Sequence, residues 1–143
     1  RNWAAMVLMA ESKARELGLK PLARITATAS FGVAPEIMGI GPVYAIPRAL
    51  KYAGLNLKDM DLFEINEAFA AQFLACNREL NLDMSKVNLN GSGIALGHPV
   101  GCTGIRIIVS LMHEMRRRGG RYGVASLCAG GGPAMATIIE MIS

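Results

Sequence analysis

The sequence predicts a layered α/β domain, with a mixed five-stranded sheet and helices on both of its faces. Three observations support this fold class. Short apolar runs of strand length alternate along the chain with segments whose apolar residues recur at helical spacing. The 143 residues are 52% hydrophobic and 18% charged, which suits one globular domain with a buried core. Two strand-like segments follow one another at the C-terminal end and are expected to form an antiparallel pair.

The N-terminal part of the chain is expected to contribute two strands and a helix between them. The apolar run Ala4–Met9 is interpreted as a strand buried on both faces. Ser12 is placed as the cap of a helix that stops at Gly18, and a second strand is expected from Leu22 to Phe31. The chain begins at Arg1 without a methionine, so we expect it to be a piece of something longer.

The middle of the chain is expected to contain a helix and a short strand. Proline in the first turn predicts a helix that starts at Gly41-Pro42. It is expected to reach Ala53, with an interruption or a second entry at Pro47, and the strand follows at 62–65.

Two further helices and the closing strands complete the predicted order. Asn66 is placed as the N-cap of the third helix, whose inward stripe is Phe69, Phe73, Cys76 and Leu80. A fourth helix is expected over 103–118. Its apolar side would carry Ile105, Ile108, Val109 and Met112. The closing strands are predicted at Tyr122–Leu127 and Ala134–Ile142.

Charge and cysteine usage exclude several function classes. The net charge of +4 is too small to require a nucleic-acid partner, and Arg116–Arg118 suits the end of a helix. Three widely spaced cysteines indicate neither a disulfide framework nor a metal site. Without a signal-like start or a long apolar run, we expect a cytoplasmic protein that does not enter a membrane.

A glycine-rich stretch, residues 88–106, holds a single histidine. Five glycines permit close backbone approach, and Pro99 keeps His98 in an extended conformation. A lone histidine is more often structural than catalytic, but this setting favours a site.

Three polar positions stand at the ends of predicted elements, where α/β sheets place ligands. They are Asn66, His98 and Cys128. Each also has a purely structural interpretation: Asn66 as a helix cap, His98 as a hydrogen-bonding residue and Cys128 as a buried core residue. Together they suit acyl chemistry. A neutral imidazole with Nε2–H can donate to a thioester oxygen. A cysteine whose pKa is lowered by a nest of backbone N–H groups can exchange a proton at carbon. An asparagine side chain can hold a water that donates to an oxyanion. No nucleophile is evident, because neither Cys76 nor Cys102 lies in an activating context.

Four blocks of sequence carry a resemblance to a known family. They are Met38–Pro42, Asn66–Ala70, Asn90–Gly101 and Cys128–Gly132. With these blocks in this order, residues 1–143 resemble the C-terminal domain of a thiolase, in the family of acetyl-CoA acetyltransferases and 3-ketoacyl-CoA thiolases. The resemblance implies a thiolase-like layered fold.

The resemblance also implies roles for individual residues. His98 would activate a nucleophilic cysteine and line an oxyanion hole, Cys128 would be the acid/base at the α-carbon, and Asn66 would order a water in the same hole. The N–H of Gly130 would serve a second oxyanion hole. Positions that would line the substrate pocket are Met38, Ala68 and Phe69. The implied reaction is reversible condensation of two acetyl-CoA to acetoacetyl-CoA and CoA, with coenzyme A thioesters as substrates and no other cofactor.

One departure from the family pattern limits the implied activity. The family's nucleophilic cysteine belongs to the N-terminal half, and no residue here matches it. We therefore expect the chain to be inactive alone and to need an N-terminal thiolase half, with homo-oligomerisation also expected. The alternative is a non-catalytic truncated thiolase domain that oligomerises or binds acyl-CoA weakly. A ketoacyl synthase relative fits less well, because a second cysteine such as Cys128 is not expected there.

Overall fold

The structure is a computed structural model that describes residues 3–142. Five α-helices, four strands and three short 3-10 helices follow one another within these residues. The α-helices are α1 Glu11–Glu16, α2 Gly41–Ala53, α3 Ala70–Leu80, α4 Gly93–Leu96 and α5 Val100–Arg118; the strands are β1 Ala23–Gly32, β2 Leu62–Ile65, β3 Tyr122–Cys128 and β4 Pro133–Met141; the 3-10 helices are Pro35–Ile40, Leu57–Asp59 and Met84–Lys86.

The strands form one mixed sheet in the order β1-β4-β3-β2. β4 runs antiparallel to both of its neighbours, so the predicted antiparallel pair of closing strands is confirmed. β2 and β3 are parallel, with Ile65 opposite Ser126. On the outer edge of β2, an isolated parallel bridge joins Phe63 to Val87.

The prediction of five strands is wrong, because Ala4–Met9 joins no sheet in the described part of the chain. Val7 is 85% exposed and Leu8 is 60% exposed. An apolar run becomes a buried strand only where a neighbour supplies backbone partners and a helix covers it. The residues described here provide neither for this segment.

The core has two parts, one on each face of the sheet, as the layered prediction requires. Successive strand residues point to opposite faces, so Val124 and Ile138 pack in the α2 cluster while Ala125 and Ile139 pack against α5. The helices therefore lie on both faces of one sheet.

The middle helix is confirmed and its proline does not interrupt it. α2 passes continuously through Pro47 and ends where Gly54 takes a φ of 69°, in the left-handed region that glycine adopts without strain. α1 begins after Ala10, and Ser12 makes no cap.

The long helix differs from its prediction in start and in buried side. α5 begins at Val100, and its most buried apolar residues are Ile107, Leu111 and Met115. The predicted stripe around Ile108 is only partly buried, because α5 carries apolar residues over more than one face and the sheet covers the other. No helix within residues 3–142 combines the length and the apolar character that crossing a membrane would require.

Candidate active site

The glycine-rich stretch is fixed to the end of β2 by one amide side chain. Asn88 has a φ of 51°, and its side chain accepts from Ile65 N and donates to Ile65 O, both at 2.8 Å. The fully buried Ser92 also donates to Ile65 O at 3.3 Å. The loop that carries the histidine therefore starts from a fixed point on the sheet.

Gly93 allows this loop to lie directly on the backbone that follows β2. A Cβ atom at this position would be 2.4 Å from the carbonyl oxygen of Glu67 and 3.0 Å from Oδ1 of Asn66. Only a residue without a side chain fits such an approach.

The structure brings Asn66 and His98 into contact. Asn66 is fully buried, and its Nδ2 lies 3.4 Å from Nε2 of the half-buried His98. Its backbone N–H donates to Ser126 O at 2.9 Å, which extends the ladder between β2 and β3 by one residue. Asn66 is therefore not a helix cap: α3 begins four residues later at Ala70, and Phe69 takes the N-cap position.

A third side chain, from α5, holds the other ring nitrogen of His98. Thr103 is fully buried, and its Oγ1 lies 2.7 Å from Nδ1 of His98. The same hydroxyl lies 3.2 Å from the carbonyl oxygen of Pro99. In contrast, Oδ1 of Asn66 is buried and has no hydrogen-bond partner among the described residues.

Cys128 ends β3 at the same edge of the sheet as Asn66. Because β2 and β3 are parallel and Ile65 lies opposite Ser126, both polar residues follow the carboxyl ends of neighbouring strands. Among the described residues, no hydrogen bond joins the thiol to Asn66 or His98.

The pKa of Cys128 departs from the sequence-based expectation. Burial raises the pKa of this thiol, and a backbone hydrogen bond offsets only part of the effect. A nest of glycine N–H groups was expected to lower it. The turn after β3 is instead closed on itself, with Ala129 N donating to Pro133 O at 2.8 Å and Gly132 N to Ala129 O at 3.2 Å.

The three residues expected to line a pocket lie in two places: in the 3-10 helix that precedes α2 and directly before the start of α3. Met38 is half-buried beside Gly39, whose carbonyl oxygen accepts from the thiol of Cys76 at 3.3 Å. Ala68 is half-buried, whereas Phe69 is 62% exposed and does not belong to the buried stripe. Gly130 is also exposed, and a Cβ atom at this position would meet no other atom within 4 Å.

Comparison with known proteins decides the family. The model of the thiolase C-terminal domain matches residues 19–141. This chain belongs to the thiolase family. A 3-ketoacyl-CoA thiolase of Bacillus subtilis is 56% identical over 138 residues, which are 96% of this chain and 35% of that protein. The thiolase domain described here spans about a third of the length of the curated relatives it matches.

Solved thiolase structures share the fold of this thiolase domain. The crystal structure of an acetyl-CoA acetyltransferase from Bacillus anthracis superposes with a TM-score of 0.92 at 59% identity, covering 94% of this chain and 34% of that one. The human mitochondrial 3-ketoacyl-CoA thiolase in complex with CoA gives 0.91 at 56% identity, covering 93% and 34%.

The sequence analysis missed two residues that organise this candidate site. In the sequence, Thr103 looks like any other residue of a helix. Only its position four residues after Pro99 indicates that its hydroxyl can contact the Pro99 carbonyl oxygen. Asn88 opens the glycine-rich stretch and carries no signal of its left-handed conformation except its residue type, since asparagine tolerates positive φ.

Proposed function

We propose that this chain is the C-terminal half of an acetyl-CoA C-acetyltransferase, a thiolase that condenses two acetyl-CoA reversibly to acetoacetyl-CoA and CoA, and that it is incomplete alone. The observation that carries the proposal is the contact between Asn66 and His98 at the sheet edge where Cys128 also ends its strand. The names of the relatives, acetyl-CoA acetyltransferase and 3-ketoacyl-CoA thiolase, support the reaction class.

In the first half-reaction, His98 serves a cysteine thiol that the N-terminal half supplies. The imidazole takes the thiol proton, the thiolate attacks the carbonyl carbon of the first acetyl-CoA, and the C–S bond to CoA breaks. CoA leaves as a thiol with the proton of the Cys128 thiol, so Cys128 becomes a thiolate, and the acetyl group stays on the nucleophile. The half-buried position of His98 suits this role, because its ring is open to a partner on one side and held by Thr103 on the other.

In the second half-reaction, Cys128 removes a proton from the α-carbon of the second acetyl-CoA. The resulting enolate attacks the acetyl-enzyme, so a C–C bond forms, the C–S bond to the nucleophile breaks, and the released thiolate takes its proton back from His98. Burial raises the pKa of Cys128, so its thiolate is a stronger base towards carbon once it is formed. The enolate oxygen is stabilised by His98 and by a water bound to Asn66, whose buried Oδ1 has no partner among the described residues.

The proposal includes substrates, partners and location. The substrates are CoA thioesters, with no additional cofactor, and Met38, Ala68 and Phe69 face the acyl and pantetheine portions. Gly130 N–H donates to the acyl-enzyme oxygen. An N-terminal thiolase half and a second copy of the enzyme cover exposed apolar residues such as Val7 and Leu8. A cytoplasmic location and a role in fatty acid metabolism complete the proposal; relatives from Homo sapiens and Pongo abelii are named as mitochondrial.

Reconstitution tests the function. The chain is combined with the N-terminal half of the Bacillus subtilis relative, and thiolysis of acetoacetyl-CoA is followed by its absorbance. His98→Ala and Cys128→Ser should each lower kcat by about 10²-fold or more, the range of general acid–base catalysis. Cys102→Ser, at another buried cysteine, is the matched control and should retain activity. Full activity of either site variant would refute the assigned role.

Calorimetry separates this function from its alternative. An active reconstituted enzyme supports the thiolase proposal. CoA binding to the chain without turnover in any reconstituted pair would instead indicate a non-catalytic acyl-CoA-binding module.

A further inference from the structure

The hydroxyl of Thr103 lies between two acceptors but has one hydrogen to donate. Its Oγ1 is 2.7 Å from Nδ1 of His98 and 3.2 Å from the carbonyl oxygen of Pro99. Either the hydrogen goes to Nδ1, which then carries none of its own, or it goes to Pro99 and the oxygen accepts from a protonated Nδ1. The two arrangements leave His98 in opposite tautomers.

The far side of the ring distinguishes the two arrangements. Nε2 of His98 faces Nδ2 of Asn66 at 3.4 Å, and an amide nitrogen can only donate. In this orientation of the amide, Nε2 offers its lone pair and the hydrogen of the neutral ring is on Nδ1. The hydroxyl of Thr103 accepts that hydrogen and donates its own to Pro99, four residues earlier, which is the usual backbone contact of a threonine in a helix.

We propose that Thr103 is a positioning residue that holds His98 in the Nδ1–H tautomer, with the Nε2 lone pair directed into the site. Burial of the hydroxyl excludes water as an alternative partner, so the contact with Thr103 fixes the ring orientation and, together with the amide of Asn66, the tautomer. The tautomer differs from the neutral Nε2–H form that the sequence analysis expected.

This assignment gives an order to the proton transfers, and that consequence rests on the proposed function. Nε2 first accepts the proton of the thiol in the N-terminal half: the S–H bond breaks, an N–H bond forms, and a thiolate and an imidazolium result. Only then can Nε2–H donate to the thioester oxygen. The contact from Nδ1–H to Thr103 is the same before and after the transfer. In the opposite arrangement, Nε2 already carries a hydrogen and cannot accept the proton of the thiol.

The tautomer can be measured in the chain itself, without any activity. Two-bond proton–nitrogen correlation of the ¹⁵N-labelled chain reports which ring nitrogen carries hydrogen. The exposed His113, the only other histidine in the sequence, serves as an internal reference. At a pH where the rings are neutral, we expect a protonated Nδ1 and a bare Nε2 for His98. A protonated Nε2 would overturn the proposal even if every variant failed to fold.

Two variants connect the tautomer to Thr103. Thr103→Val keeps the branched shape but removes the hydroxyl, so His98 should become a mixture of tautomers, whereas Thr103→Ser should retain the wild-type pattern. A valine variant with an unchanged His98 spectrum would also overturn the proposal.

Activity in the reconstituted enzyme separates this proposal from the function. Thr103→Val should lower kcat about 10- to 100-fold, as expected for a lost hydrogen bond to a charged group, with little change in KM, and serine should restore most of it. Equal rises in KM in both variants would contradict a positioning role. If wild-type chain showed the expected tautomer but no turnover, the function would fail and the assignment of Thr103 would stand.

Discussion

Exchanging Glu64 for glutamine is expected to remove a loss of stability that the folded chain undergoes between about pH 5 and about pH 8. Glu64 lies on β2 and points towards α5, where its side chain is 3% exposed and its Oε2 is 3.5 Å from the guanidinium of Arg106. Neither Oε2 nor the terminal nitrogens of Arg106 have a hydrogen-bond partner among the described residues. The two charges are thus buried close together without good hydrogen bonds.

The sign and size of the effect follow from the pKa of this carboxyl group. Burial raises the pKa of Glu64 from 4.5 to about 7; the charge of Arg106 lowers it less, and Glu67 and Glu114 raise it further. Between these two values the folded chain binds more protons than the unfolded chain, so stability falls as the pH rises. At 1.36 kcal/mol for each pH unit, the whole effect is about 3 kcal/mol, of which about 2.5 kcal/mol falls between pH 5 and pH 8.

Urea denaturation of both proteins across this pH range measures the effect. The stability of Glu64→Gln relative to wild type should improve by about 2.5 kcal/mol from the lowest to the highest pH. The constant cost of the substitution and the contributions of all other titratable groups cancel in that change. Glu79→Gln, an exposed glutamate on α3, controls for the loss of one negative charge. Parallel curves for wild type and Glu64→Gln would refute the reasoning.

Two further substitutions test the turn after β3 and the end of α5. Gly132 has a φ of 104°, and a Cβ there would be 2.1 Å from the carbonyl oxygen of Val33. Gly132→Ala should therefore cost about 2 kcal/mol or more in thermal or urea unfolding, whereas Gly130→Ala, in open space, should stay within about 0.5 kcal/mol; equal losses would contradict this. Hydrogen bonds, led by that of Arg118, lower the pKa of Glu114 to about 2. Its contribution, about 1 kcal/mol because the arginines are largely exposed, should be present above about pH 4.5 and be lost as the pH falls towards about 2. Glu114→Gln should lack this acid-induced loss, and an unchanged acid transition would count against it.

The elements that could be predicted are those whose starts and ends are marked by residues close in the sequence. β2 is a short run bounded by polar residues, and α2 has proline in its first turn and Gly54 at its end, so both could be located from nearby residues alone. The Ala4–Met9 strand could not be judged in this way, because the run is apolar whether or not a neighbour pairs with it. The segment is exposed because no described strand pairs with it and no described helix covers it, and neither fact can be read from its own residues.

The candidate site was predictable in its residues but less so in its contacts. Asn66, His98 and Cys128 stand at element ends that the sequence marks, and the structure joins the first two directly. Whether Asn66 caps a helix depended on where α3 begins. The N-cap is Phe69, three residues after Asn66, and no residue near Phe69 marks a helix start. Thr103 was missed because its partner, His98, lies outside the helix that contains it, and no helical periodicity includes such a pair.

The side chain of Asn88 also has a consequence for aggregation. β2 is one of the two edge strands of the sheet, and the backbone groups of alternate residues on its open side would otherwise be available to another chain. Asn88 engages both backbone groups of Ile65, and its own N–H donates to Phe63 O at 2.9 Å. The loop thus seals a sheet edge that could recruit foreign strands. Loosening of the histidine loop would therefore leave these backbone groups unpaired, and an unpaired strand edge is where another chain can add a strand.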